Sequence, residues 1–204
     1  VSGAADVCRD AGCAILGGET AEMPGVYREE ELDFAGTCVG LVRRDSLVDG
    51  ARVREGDVVL GLPSSGLHAN GYSLVRRLLA DQTQDVELDG NLLLAPTRLY
   101  LDEVRRLREA CDVRALAHVT GGGIAGNLAR VLPPGLGARV DPSAWARPPV
   151  FAWLDGLGVG EEEQRRVFNL GIGYCAVVPP AHAARAPYPV IGRVDARVRG
   201  VAFE

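Results

Sequence analysis

Three short stretches carry residue types that chemistry needs. In SSGLHANG, residues 64–71, two hydroxyls, two glycines, an imidazole and an amide fall within eight positions. In TGGG, residues 120–123, three glycines follow a threonine, and in GGET a glycine pair, Gly17 and Gly18, precedes Glu19 and Thr20. Each stretch follows an apolar run, and the first two lead straight into a helical pattern. Small residues at such a junction let backbone N–H groups converge on an anion, and a helix start adds partial positive charge. The shared grammar predicts phosphate-binding turns whose exits face a common cleft.

Within the first stretch, Ser64 and Ser65 offer hydroxyl donors, Gly66 and Gly71 permit close or left-handed backbone, and Asn70 stands at the N-cap position of a helix. His68 titrates near neutrality, which suits it to carry charge toward a phosphate or to move a proton. Thr120, Gly121, Gly122 and Gly123 make a second cradle, since three adjacent glycines cost conformational entropy that a plain turn seldom needs. Glu19 and Glu22 flank Thr20 and suit a divalent ion that carries a nucleotide. Structural readings stand beside these: a turn plus cap for residues 64–71, an ordinary loop histidine, close helix-to-strand packing for the glycine run, and solvated carboxylates for Glu19 and Glu22. No Walker lysine follows any of these glycines, so the chain is not a P-loop protein.

The elements that must position these stretches alternate along the chain. Apolar patterning predicts helices over residues 1–11, 72–80, 97–110, 124–132, 149–157 and 161–168. It predicts strands over 13–16, 34–43, 58–62, 115–119 and 173–178, with two short ones within 188–204. A charged, turn-rich stretch over residues 45–56 separates two apolar blocks and marks a boundary.

Composition narrows the classes. At 204 residues and 47% hydrophobic, the chain has enough apolar mass for a proper core. Its longest apolar runs are strand-length, far short of the about 20 residues that span a membrane, and its start does not read as a signal peptide. A formal charge of −5, with aromatics at 5% and no basic stripe, argues against nucleic acid as main partner. Five scattered cysteines read as reduced core thiols of a cytoplasmic protein, without the close pairs of a zinc site.

Longer motifs carry a resemblance over almost the whole chain. GGETAEMPGVY, DFAGTCVGLV, DGARVREGDVVLGLPSSGLHANGYSLVR, LLAPTRLY, AHVTGGGIAGNLARVLP, WARPPVFAWL and VFNLGIGYCAVVP together resemble the phosphoribosylformylglycinamidine cyclo-ligase (AIR synthetase) family, in order and spacing. The resemblance implies an α+β chain: residues 1–45 as the end of an N-terminal ATP-binding α/β domain, and residues 46–204 as a three-layer α/β/α C-terminal domain with a mixed sheet. It implies ATP-dependent closure of formylglycinamidine ribonucleotide to 5-aminoimidazole ribonucleotide in purine biosynthesis, with ATP and Mg2+ as cofactors.

Carried onto this chain, the resemblance makes Gly17, Gly18, Glu19 and Thr20 nucleotide-side residues, with Glu19 toward the metal. It makes Ser64, Ser65, Gly66, His68, Asn70 and Gly71 substrate or phosphate residues, Thr120 to Gly123 a second cradle, and His68 the general acid–base. It further implies a homodimer built by the N-terminal domains, and partners confined to the ribonucleotide and ATP, with neither nucleic acid nor membrane.

The family's Asp-Gly-Val-Gly-Thr-Lys-type motif and its acidic Asn-Asp segment do not occur in these residues. The expectation is therefore a truncated form with little or no activity alone, exposing apolar surface near residues 34–42. The competing expectations are a non-catalytic module that binds nucleotide, phosphate or a partner, and another member of the superfamily such as selenophosphate synthetase. PPAHAARAPYPVIGRV is shorter than the family's segment, so the last helix is expected to be cut to a turn or two.

Overall fold

A computed structural model of the chain describes residues 2–81 and 90–204, and divides it into two compact units, Val1–Leu47 and Val48–Glu204.

The first unit opens with helix α1 (Ser2–Asp10), none of whose residues is buried. Position 1 of the predicted helix lies outside the described residues. Beyond α1 the described backbone of this unit forms one isolated bridge, Pro24 with Tyr27, and a 3-10 turn, Arg44–Ser46. The strands expected over 13–16 and 34–43 are not formed. A strand exists through hydrogen bonds to a neighbour, and none of the described residues of this unit supplies a ladder. Leu16 is 95% exposed, and Phe34, Val39 and Leu41 are exposed as well, so the apolar surface foreseen there is present without strand edges.

The second unit is built on six strands: β1 (Val58–Pro63), β2 (Ala115–His118), β3 (Gly137–Val140), β4 (Ile172–Val178), β5 (Val190–Asp195) and β6 (Val201–Phe203). Their order is β2-β4-β1-β5-β3-β6, antiparallel except for the parallel pair β3 and β6. β1 and β4 are central and almost wholly buried, which is why their sequences read as continuous apolar runs. Side chains alternate across the sheet. Val59, Ala117, Cys175 and Val177 face the layer of helix α5 (Gly123–Ala129), with Ile124 and Leu128 against them. Val58, Leu60, Leu62 and Ala176 face helix α4 (Leu101–Ala110), with Leu107 against them, and a 3-10 helix, Pro180–Arg185. The result is the mixed sheet between helical layers that the family resemblance implied.

A third apolar cluster joins helix α2 (Tyr72–Ala80), helix α3 (Gly90–Leu93) and helix α6 (Pro149–Gly156) through Val75, Leu93, Phe151 and Leu154. Helix α7 (Glu161–Val167) follows and is tied to Arg147 by a two-pronged Glu161 ion pair at 2.6 Å. The elements differ from the patterning in several places, and the short helix α3 was not among those expected. α4 starts at Leu101, because residues 97–99 are exposed and Pro96 instead accepts from the Ser65 hydroxyl. α5 stops at Ala129. β3 escaped prediction, its four residues being hidden between Gly and Pro punctuation.

The six-residue 3-10 helix is the shortened last helix expected from PPAHAARAP. Cys111 and Cys175 are core thiols, burial raising the Cys175 pKa to about 12, whereas Cys13 and Cys38 are exposed and lie in the two segments where the expected strands do not form. No helix among the described residues is long and apolar enough to cross a membrane.

Candidate functional site

β1 and β2 both pair antiparallel with β4, so both chains leave the sheet at the same end, where Leu62 and His118 are registered against the same residue, Tyr174. The start of β4 holds both exits: the Ser64 N–H donates to the Gly171 carbonyl at 2.8 Å, and the Val119 N–H to the Gly173 carbonyl at 2.9 Å. Residues 64–71 and 120–123 are thereby brought together. Asn169, just before β4 and 1% exposed, is the fastener. Its Nδ2 donates to the Gly66 carbonyl at 2.8 Å, and its Oδ1 accepts from the Gly171 N–H at 2.8 Å.

The two serines do not point free donors outward. The Ser64 hydroxyl lies 2.9 Å from the Gly66 carbonyl and 3.1 Å from Asn169 Oδ1, and the Ser65 hydroxyl donates to the Pro96 carbonyl. Their protons are committed inside the protein, so the hydroxyls shape the turn. The N-cap of α2 is Gly71, at φ +78°, and Asn70 lies one residue ahead of it with no side-chain cap bond. Only glycine suits Gly71: its backbone is left-handed, and a Cβ there would lie 2.0 Å from the Phe168 ring.

Asn127, 5% exposed, organises the second turn from beneath. Its Nδ2 lies within 2.8–3.3 Å of the carbonyls of Thr120, Gly121 and Gly123, and its Oδ1 accepts from Thr120 Oγ1 at 3.1 Å and Arg130 Nη1 at 3.2 Å. With the carbonyls drawn inward, the exposed Gly121 and Gly122 keep N–H groups that donate to no other described residue. Gly123 is wedged against α7, where a Cβ would lie 2.1 Å from the Arg165 carbonyl oxygen.

Four rings close this end of the sheet. His118 stacks on Tyr174 with centroids 5.7 Å apart, and Tyr100 contacts Tyr174, His118 and His68 at 5.2, 6.3 and 6.1 Å. The Tyr100 hydroxyl is fixed by donating to the Pro63 carbonyl at 2.8 Å. Gly173 makes room: a Cβ there would lie 2.0 Å from that hydroxyl and 2.5 Å from His68 Cε1. His68, 3% exposed, accepts the Ser65 N–H on Nε2 at 3.2 Å, while its Nδ1 is buried without a partner. An Nε2 that accepts leaves the neutral ring protonated on Nδ1. Burial, then repulsion from His118 and Arg98, lowers the His68 pKa; burial lowers that of His118.

A depressed histidine pKa makes the unfolded chain the better proton acceptor between the folded and unfolded pKa values. Stability contributed by neutral His68 is complete above the unfolded value and lost as pH falls below it. Unfolding free energies from urea titrations should therefore drop from pH 7.5 to 5, by at most about 1.4 kcal/mol per pH unit for this one proton. His68→Gln should flatten that slope, and an unchanged slope would contradict the assignment.

The third predicted stretch belongs to the other unit. Gly17, Gly18, Glu19 and Thr20 are all exposed and lie in no regular element. Neither Glu19 nor Glu22 makes an ion pair or hydrogen bond with another described residue. No group of three metal-ligating side chains occurs among the described residues. One uncommitted carboxylate such as Glu19 fits a Mg2+ ion that takes its remaining ligands from water and phosphates.

Sequence reasoning missed Asn169, Asn127, Tyr100, His118 and Tyr174. The signal available was the polar residue inside an apolar run, as in VFNLGIGYC, where a buried asparagine must have partners.

A buried mixed sheet flanked by helices, with paired glycine-bearing turns leaving at one end, defines a class. The chain belongs to the AIR synthase related protein family: residues 54–203 match the model of its C-terminal domain, and residues 1–42 that of its N-terminal domain. Among curated relatives, the phosphoribosylformylglycinamidine cyclo-ligase of Sorangium cellulosum is 50% identical over 91% of this chain and 57% of its own length. Those of Synechococcus sp. and Geobacillus kaustophilus are 50% and 45% identical, over 88% and 100% of this chain and 55% and 64% of theirs. The chain thus spans little more than half the length of most of these relatives.

Among solved structures, thiamine-monophosphate kinase from Stenotrophomonas maltophilia is similar with TM-score 0.53 at 18% identity, over 80% of this chain and 54% of that one. The hydrogenase maturation protein HypE of E. coli is similar with TM-score 0.50 at 19% identity, over 80% and 50%. These two likenesses show the fold.

Proposed function

We propose that the chain works as part of an ATP-dependent cyclo-ligase that closes formylglycinamidine ribonucleotide to 5-aminoimidazole ribonucleotide. The observation that carries this reading is the joining of the 64–71 and 120–123 turns by Asn169 and β4, with the Gly121 and Gly122 amides left open. In this reading residues 1–45 end an ATP-binding domain and residues 46–204 form the C-terminal domain of a cytoplasmic homodimer.

The formamide oxygen of the substrate takes the γ-phosphoryl group of ATP, the amidine nitrogen attacks the activated carbon, and phosphate leaves in place of oxide. The amides of Gly121 and Gly122, with the nearby Arg130 guanidinium, hold the ribonucleotide phosphate; Gly66, Asn70 and Gly71 line the facing turn, which Ser64 and Ser65 shape. Gly17, Gly18, Glu19 and Thr20 serve the nucleotide, and Mg2+ held by Glu19 would neutralise charge on the ATP oxygens. His68 holds Ser65 and thus positions the turn, and its buried neutral ring limits it as a direct proton carrier.

The test joins this chain to the N-terminal residues of the Sorangium cellulosum relative that it does not match, and measures aminoimidazole formation with ATP and the amidine ribonucleotide. Product and substrate-dependent ATP hydrolysis are expected from the joined protein, and little or none from the 204 residues alone. Binding of the ribonucleotide without product would favour a non-catalytic module, and absence of binding would overturn the proposal.

A further inference from the structure

The reaction proposed above releases a proton from the attacking amidine nitrogen, and the site must contain a group that takes it. His68 is the obvious candidate by sequence, yet it is 3% exposed and its Nε2 is occupied by the Ser65 N–H. Its surroundings make it part of the wall.

His118 differs on each count. It is exposed, it is the last residue of β2, and no hydrogen bond ties either ring nitrogen to another described residue. Its ring is nonetheless held in place, stacked on Tyr174 at an interplanar angle of 19° and bordered by Tyr100. Three residues later come the open Gly121 and Gly122 amides, within about 10–14 Å along an extended chain. A ribonucleotide whose phosphate sits on those amides brings its amidine end within reach of this ring shelf.

We propose that His118 is the general base of ring closure, taking the proton from the amidine nitrogen of the substrate while the Tyr174 ring supports the planar amidine beside it. This inference rests on the cyclo-ligase reading. In the step, the amidine nitrogen forms its bond to the activated formyl carbon, its N–H proton passes to His118, and the carbon–oxygen bond to phosphate breaks. The proton then leaves to solvent, to which His118 is open.

The charged and titratable groups around His118 fit the task. Tyr174 from β4 and Tyr100 ahead of α4 are kept neutral by burial, which raises both phenol pKa values. His68 lies beyond Tyr100, and Arg98, over the Tyr100 ring, is paired with Glu103 at 2.7 Å. The neighbouring rings shield one face of His118 and lower its pKa, which favours the unprotonated form that accepts.

The chain has three histidines, His68, His118 and His182, so imidazole NMR resolves them directly. In the 204-residue chain, formylglycinamidine ribonucleotide should shift the His118 ring signals and the Gly121 and Gly122 amides, whereas ribose 5-phosphate should shift the amides alone. In the joined, cyclising protein, His118→Gln should lower kcat about 100-fold with KM little changed, and remove the acidic limb of the kcat profile. His118→Gly should regain activity when free imidazole is added. Amides that respond while His118 does not, or a His118→Gln enzyme with unchanged kcat, would overturn the inference and leave the cyclo-ligase reading standing. Amides and ring that both ignore the ribonucleotide would overturn that reading first.

Discussion

Replacing Asn169 with alanine should lower the unfolding free energy by about 3 kcal/mol and abolish ribonucleotide binding to the second unit. The side chain is buried and holds a 64–71 carbonyl, the Gly171 amide just before β4 and the neighbourhood of the Ser64 hydroxyl at once. Alanine leaves the Gly171 N–H without its acceptor inside the protein, and an orphaned buried group costs about 1–3 kcal/mol. The vacated volume adds a packing loss. Urea denaturation of the variant gives the total. Hydrogen exchange gives the location: protection should fall at residues 64–66 and 171 and persist in β5. Uniform loss across all strands, with binding retained, would show that Asn169 supports the sheet and not the site.

The second large effect is expected at Gly123. An alanine Cβ there would stand 2.1 Å from the Arg165 carbonyl oxygen and 2.9 Å from that of Phe168, at a backbone φ of +63°. Both obstacles are main-chain atoms at the end of α7, so relief requires moving that helix. Overpacking costs about 1–3 kcal/mol and a left-handed alanine about 1 more, so Gly123→Ala should lose about 4 kcal/mol by chemical denaturation. The control is two residues away. Gly121→Ala meets nothing within 4 Å, and should change stability by less than about 0.5 kcal/mol. If the pair lost equal stability, the wedge against α7 would not be what Gly123 is for. Gly123→Ala should also misplace the Gly121 and Gly122 amides, because Asn127 fixes the turn through the Gly123 carbonyl at 2.8 Å.

How much of this was readable beforehand differs between the two units. Over residues 58–62 and 173–178 the apolar runs announced central strands, and the structure forms them, because a strand buried on both faces is apolar at every position. Helices 72–80 and 149–157 likewise follow their patterns. Residues 34–43 carry the same kind of pattern and form no strand, since patterning describes what a segment can bury and a ladder also needs a partner. At the site, the glycine-bearing turns were visible from their composition. The fate of their hydroxyls was not: whether Ser64 and Ser65 face a ligand or a carbonyl depends on Asn169 and Pro96, which are 105 and 31 residues away.

Taken by itself, the order of residues determined the family, the central strands, and which short segments bend through glycine, because these depend on local chemistry and on side-chain periodicity. Tertiary structure alone decided that β1 and β2 open at one end of β4, that His68 is walled in, and that His118 stands open beside it. Those outcomes depend on register between distant strands, and a register is set by the packing of whole faces, which no single stretch of sequence contains.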